Sequence, residues 1–208
     1  MSHSTINNDR QTIEFWFDFG SNYSYLTAMR IEDLAGSIGV DIVWKPFLLG
    51  PIFQSFGWES SPFVLQKQKG EYTWKDMERQ AHKHGIAWKK PSTFPRRAIL
   101  PTRVAILGRN EKWIGAFVRA TMARNFVEDK DLDTEDAVRE VLAAINVNAD
   151  LIIAQAQSDE NKQRLRHATE TAANLGIFGA PMFFVGDEMF WGNDRLEDAL
   201  AYANSQSQ

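Results

Sequence analysis

Ile13-Glu-Phe-Trp-Phe-Asp-Phe-Gly-Ser-Asn-Tyr-Ser-Tyr-Leu26 combines an apolar, aromatic-rich run with a turn and a helix opening. Residues 13–19 are dense in aromatic side chains, which favours a strand, and Gly20 permits a sharp turn after it. Ser21 or Asn22 is a suitable cap for a helix opening near Tyr23. A helix opening gathers unpaired backbone N–H groups, so a hydroxyl or thiolate placed there finds its anionic form favoured. Capping alone is the ordinary explanation for one serine at one strand-to-helix junction, so chemistry at Ser21 needs support from the rest of the chain.

Leu26, Met29, Ile31 and Leu34, set among Arg30, Glu32 and Asp33, predict one amphipathic helix over 23–35 that Gly36 and Gly39 end. Residues 40–49 alternate and predict a second strand, with Pro46 placing its end at an edge or bend. Strand, helix and strand in this span form a βαβ unit with parallel strands. Residues 50–62 are rich in turn formers yet carry Phe53, Phe56 and Trp58, which predicts a loop that contacts a ligand or folds onto its own aromatics. Helical patterns follow at 74–84, 102–109, 111–125, 134–145 and 149–174. Residues 178–192 then predict a hairpin turning at Gly186-Asp187, with Pro181 at the start of its first strand. A last helix opens at Asn193 or Asp194, and Asp194 with Glu197 has capping-box spacing.

The bulk numbers exclude several classes. The 208 residues are long enough for one large core, and 23 Lys+Arg against 27 Asp+Glu give a net charge of −4, which argues against broad nucleic-acid binding. There is no cysteine, so disulfides, thiolate metal sites and a protein-borne redox thiol are all excluded; sulfur chemistry would need a borrowed thiol. The four histidines, at 3, 82, 84 and 167, suggest no metal site, since a spacing of two puts His82 and His84 on different helix faces. A polar N-terminus and the lack of any long apolar run predict a soluble, cytoplasmic protein without a membrane anchor. Lys89, Lys90, Arg96 and Arg97 read as a solvated basic face. Seven Trp and fourteen Phe fill a core and also suit a site for a flat aromatic ligand.

Phe17-Asp-Phe-Gly-Ser-Asn-Tyr-Ser-Tyr-Leu26 resembles the opening motif of the 2-hydroxychromene-2-carboxylate isomerases and the related kappa-class glutathione transferases, aromatic-Asp-x-x-Ser-Pro-aromatic-Ser-aromatic-Leu, with Asn22 in place of the usual Pro. Lys69-Gly70-Glu71-Tyr72 matches that family's Lys-Gly-x-Tyr. Residues 94–103 resemble its Phe-Pro-x-x-small-apolar-x-x-x-Arg segment, with Pro101 a departure. The resemblance implies an α/β, thioredoxin-like fold (βαβ…ββα) with an all-helical insertion. Residues 13–50 and 176–208 would form the thioredoxin-like domain, 51–175 the insertion and 1–12 a disordered tail. Pro181 would be cis.

It further implies a glutathione site. Ser21 would lie beside the sulfur and Lys69 near the tripeptide. Ala180, ahead of Pro181, would pair antiparallel with its backbone, and Asn193 with Asp194 would hold the γ-glutamyl end. Phe53, Phe56, Trp58 and Tyr23 would line the place of a small aromatic or conjugated carboxylate substrate. The reaction implied is a glutathione-dependent isomerisation in aromatic catabolism, carried out by a cytoplasmic homodimer: the thiolate adds, the adduct rotates and the thiol leaves. A kappa-class transferase that leaves glutathione conjugated, or a non-catalytic thioredoxin-like binding module, are the alternatives. A serine hydrolase is disfavoured, because no Gly-x-Ser-x-Gly elbow is present.

Overall fold

The computed structural model describes residues 11–206. Of the tail expected at 1–12, residues 1–10 lie outside the described residues, and Thr12 opens the first strand. β1 (Thr12–Phe17) is fully buried on its Ile13, Phe15, Phe17 face and becomes buried on the other face at Trp16. Ile13, Phe15 and Phe17 point into one hydrophobic cluster, and Trp16 points into another. β1 pairs parallel with β2 (Asp41–Pro46), from Thr12↔Asp41 to Phe17↔Pro46. On its other side it pairs antiparallel with β3 (Met182–Val185), Phe15 opposite Phe183. β3 turns through Gly186, at φ 57°, into β4 (Glu188–Trp191), giving the order β2-β1-β3-β4. Left-handed backbone at that turn is what glycine supplies without steric cost.

Two helices rather than one connect β1 to β2: α1 (Asn22–Ala28) and α2 (Ile31–Ser37). The break falls where the Thr27 hydroxyl and the Arg30 guanidinium both donate to Asn193 Oδ1, each at 3.2 Å, and where Arg30 also pairs with Glu197. Fastening to the start of the chain's last helical segment thus interrupts a helix that periodicity alone would continue. After β2 come α3 (Leu49–Ser55), α4 (Pro62–Leu65) and α5 (Lys67–His84). The loop expected over 50–62 therefore begins as a helix, with Pro51 in its first turn, where a missing N–H removes no intrahelical bond. α5 starts before the expected 74 and runs through Gly70. A Cβ there would run into the carbonyl oxygen of Phe63, so the close approach of α4 requires a glycine that helix propensity disfavours.

The helical stretch continues with α6 (Ile99–Gly108), α7 (Ile114–Phe126), α8 (Glu135–Ala144), α9 (Ala149–Ala156) and α10 (Asp159–Asn174). The single helix expected over 149–174 is split because the Ser158 side chain caps α10, accepting from the Asn161 N–H at 3.2 Å. At the end a 3-10 turn, Asn193–Arg195, leads into α11 (Leu196–Ser205). Neither Asn193 nor Asp194 caps it: the Asn193 side chain is spent on Thr27 and Arg30, and the Asp194 carboxylate lies against Arg195. One core joins the sheet to the helices, from Phe15, Phe17 and Phe183 to Met77, Val104, Phe117 and Leu142. Each phenylalanine buried there contributes about 1.5–3 kcal/mol. The sheet's other face buries Trp16, Met182 and Phe184 with Phe47, Ile52 and Ile177.

Candidate active site

The site is built on the turn that follows β1. Asp18 holds it in shape: its Oδ1 accepts from the Gly20 N–H at 2.6 Å, and the Ser21 N–H donates to the Asp18 carbonyl at 3.0 Å. Its other oxygen accepts from the Leu49 N–H at 2.8 Å, which fixes the start of α3 beside the turn. Enclosure of the carboxyl raises its pKa above the ordinary 3.8, outweighing the opposing pull of the Leu49 and Gly20 N–H groups. Space around Gly20 is tight as well. A Cβ would stand 3.3 Å from the Arg96 carbonyl and 3.6 Å from Pro95, whose peptide with Phe94 is cis.

Ser21 caps α1, its Oγ accepting from the Ser24 N–H at 3.1 Å. The hydroxyl donates to the carbonyl of Ala180 at 2.9 Å, across 159 residues of chain. Ala180–Pro181 is cis, as the resemblance implied. Ser21, Ala180 and Pro181 are therefore together. On the far side of the proline, the Gly192 N–H donates to the Pro181 carbonyl at 3.0 Å, which brings the 3-10 turn to the same end of the sheet. Asp194 is exposed there, 3.2 Å from Arg195, which also donates to Asp198 at 2.6 Å. Asn193 is buried and holds the turn through Thr27 and Arg30 instead of presenting its side-chain oxygen outward.

Tyr23 lies one step along α1, and its hydroxyl donates to Asp76 Oδ2 at 2.7 Å. Partial burial, and then the Asp76 carboxylate, push its pKa upward, so the phenol keeps its proton at neutral pH. Its ring meets Phe63 edge-on at 6.1 Å, and the exposed Lys69 ammonium stands 5.9 Å above Phe63. Lys69 thus reaches the site's neighbourhood through Phe63 and Tyr23. Phe53 is nearly buried on α3 and touches Trp58 at 5.5 Å, while Phe56 meets Trp58 at 5.7 Å. The outer two rings are 49% and 39% exposed, an apolar surface free to contact a ligand. Asp18 ties this wall to the Ser21 turn, since it holds the first residue of the helix that carries Phe53.

Two residues of this arrangement had no role assigned from sequence. Asp18 could have been found, because Asp two residues before Gly is the pattern of a side chain bonding its own backbone two residues on. Asp76 could not: nothing local marks it as the partner of a tyrosine 53 residues away. Arg96, read as solvated, is 11% exposed and donates to Asn125 at 3.1 Å and Asp129 at 2.5 Å, so its basic charge is spent inside the structure. Among the described residues no group of three His, Cys, Asp or Glu side chains stands close enough to hold a metal ion, and no helix is long and apolar enough to cross a membrane.

A DsbA-like thioredoxin domain model matches residues 12–203. A 2-hydroxychromene-2-carboxylate isomerase from Sphingobium xenophagum is 32% identical over 196 residues, which cover 92% of this chain and 97% of that one. The chain belongs to the 2-hydroxychromene-2-carboxylate isomerase and kappa-class family of DsbA-like thioredoxin domains. Within this family, glutathione S-transferase kappa 2 of Caenorhabditis elegans is 26% identical, with 90% of this chain and 89% of that protein covered. A solved 2-hydroxychromene-2-carboxylate isomerase superimposes with a TM-score of 0.84 at 26% identity, covering 94% of this chain and 97% of that one. The family's thioredoxin-like fold accounts for the order β2-β1-β3-β4 and for Pro181 facing the first turn.

Proposed function

We propose that this protein is a glutathione-dependent isomerase acting on 2-hydroxychromene-2-carboxylate and its ring-opened, benzylidenepyruvate-like isomers. The observation that carries the reading is the Ser21 hydroxyl standing 2.9 Å from the Ala180 carbonyl in a chain without cysteine. The resemblance to named isomerases over most of the chain supports it. Bound glutathione would supply the nucleophilic sulfur that the chain lacks.

The chain's own residues then have distinct tasks. Ser21 has one hydroxyl hydrogen, and turning it from Ala180 toward the sulfur favours the thiolate over a thiol of ordinary pKa about 8.5. The same turn frees the Ala180 carbonyl to accept a backbone N–H of the extended tripeptide, recognition by strand addition. Asp194, exposed at the 3-10 turn, takes the α-ammonium, and Lys69 takes a carboxylate. Asn193 serves as a positioning residue, holding that turn against Thr27 and Arg30. Tyr23, kept protonated, and Phe53, Phe56 and Trp58 form apolar walls that exclude water from the reacting carbons.

Affinity for immobilised glutathione followed by turnover of 2-hydroxychromene-2-carboxylate tests this. Interconversion that requires glutathione and leaves it unconsumed is the expected result. Loss of glutathione to a conjugate makes the protein a kappa-class-like transferase, retention without turnover makes it a binding module, and no retention overturns the site. The same reading makes it a cytoplasmic homodimer, which sedimentation and cell fractionation check. It also retains residues 51–175 as a helical insertion in the thioredoxin-like domain.

A further inference from the structure

The described residues hold an open cleft of about 520 Å³ between α5 and the segment that follows it, and no task above uses it. Its volume lies within the range of small-ligand sites, roughly 300–1,000 Å³. Its aromatic lining is Trp74 and Trp88, stacked at 6.0 Å with planes 21° apart. Both rings are held from behind: Phe94 meets Trp74 edge-on at 4.7 Å, and Phe126 stacks on Trp88 at 5.8 Å. Such rigid, partly exposed indoles present apolar surface in the cleft against which a flat ring packs with little loss of conformational freedom.

The rim is cationic. Lys75, Lys89 and Lys90 line the cleft, with His82 beside them, against the single carboxylate of Glu78. Lys89 lies 3.9 Å from Asp129, but Lys75 and Lys90 have no carboxylate within ion-pair distance among the described residues. Lys90 instead places its ammonium over the Trp74 ring, 5.4 Å from the centroid. A flat ring entering beside Trp74 therefore meets an ammonium that no carboxylate among the described residues neutralises. We propose that this cleft is a second ligand site, for small planar aromatic carboxylates, with the exposed parts of Trp74 and Trp88 packing against the ring and Lys75 and Lys90 pairing with the carboxylate, Lys90 swinging off Trp74 to do so. It does not depend on the isomerase reading. The cleft backs onto the Ser21 region through Phe94 and Pro95, the latter packed against Gly20, and through Phe126, whose ring meets Tyr25 of α1.

The test uses the full chain saturated with glutathione, so that the Ser21 region is occupied if it binds the tripeptide, and 2-naphthoate as probe. Indole N–H signals of Trp74 and Trp88, assigned by Trp→Phe substitution, should shift saturably. Neutral 2-naphthamide and ring-free acetate should each bind about ten-fold more weakly, the size of one lost charge-assisted bond or of the stacking. The surface changes Lys75→Glu and Lys90→Glu together should weaken 2-naphthoate by at least ten-fold, with the fold retained by circular dichroism. Trp58→Ala, in the aromatic wall of the other site, should leave it unchanged. Naphthoate binding that survives the double lysine change, that is lost in Trp58→Ala, or that never shifts Trp74 and Trp88 overturns the proposal.

Discussion

Replacing Ser21 with alanine separates the two jobs the structure gives that side chain. As a cap it accepts from the Ser24 N–H at 3.1 Å, and losing a serine cap costs about 1 kcal/mol. As a donor it satisfies the Ala180 carbonyl at 2.9 Å, and that oxygen would be left without its partner at a further cost of about 1 kcal/mol, because Ala180 is only partly shielded and water can replace the hydroxyl. A loss near 2 kcal/mol leaves a domain of typical stability, about 5–15 kcal/mol, folded. For a chain of this size it lowers the melting temperature by about 4–8 °C. The effect on the bound thiol is separate. A hydrogen bond to an anion is worth about 1.5–3 kcal/mol, or one to two pKa units at about 1.4 kcal/mol each. Ultraviolet thiolate titration of glutathione bound to the Ser21→Ala protein should therefore rise by one to two units relative to the native protein, with the fold retained by circular dichroism. A lower melting temperature with an unmoved titration would show that Ser21 is a helix cap and nothing more.

Three further outcomes follow from other parts of the structure. Asp194→Ala should weaken glutathione binding in calorimetry by about 1.5–3 kcal/mol, and unchanged affinity removes Asp194 from the γ-glutamyl end. Gly70→Ala should cost about 2 kcal/mol or more in chemical denaturation, because its Cβ has no room against Phe63. Gly36→Ala, in a helix with nothing within 4 Å of the new methyl, should instead stabilise by about 0.5–1 kcal/mol; equal effects would refute the packing argument. Asp18 carries a pKa raised above 3.8, so over the window between 3.8 and the raised value the folded chain keeps a proton that the unfolded chain has lost. Its contribution therefore falls as pH rises through that window and is level above it. The urea stability of the native protein relative to Asp18→Asn should decline across the same window, whereas a constant difference means that Asp18 titrates alike in both states.

The parts of the fold legible in the sequence are those that local pattern controls. Ile13, Phe15 and Phe17 with Gly20 and Ser21 announce a strand and a capped turn. Pro181 ahead of an apolar run marks a strand start, and Gly186 marks the hairpin turn that the structure shows at φ 57°. What stayed hidden depends on partners distant in the chain. The break at Arg30 comes from Asn193 and Glu197, and Gly70 lies inside α5 because Phe63 approaches it from α4. Ser158 is the instructive exception. Its cap on α10 is local and has the spacing of a serine before an acidic first turn, Asp159 and Glu160, yet the apolar rhythm on both sides masks the boundary. In the site, Ser21, Ala180 and Pro181 come together as the motifs implied, whereas Asn193 faces inward because Thr27 and Arg30 claim its oxygen before any ligand can.

The Ser21–Ala180 bond also divides binding from chemistry within the proposed reaction. A tripeptide that enters alongside Ala180 breaks one hydrogen bond of 2.9 Å and replaces it with two, from the hydroxyl to sulfur and from a peptide N–H to the freed carbonyl. Since each peptide N–H also leaves water, the net gain at the centre of the ligand is only about 0.5–1.5 kcal/mol. On the proposed placement, affinity would then come mostly from the ends of the tripeptide, where Asp194 and Lys69 would offer full charges that lack deep burial and keep their hydration cost low. Removing an end contact should therefore raise the glutathione concentration needed for half-maximal rate while sparing the rate at saturation. Removing the Ser21 hydroxyl should do the reverse, because the bond to sulfur strengthens only as the sulfur becomes anionic. A steady-state comparison of Asp194→Ala with Ser21→Ala in which both changes act on the same parameter would contradict this division, and with it the placement of the sulfur at Ser21.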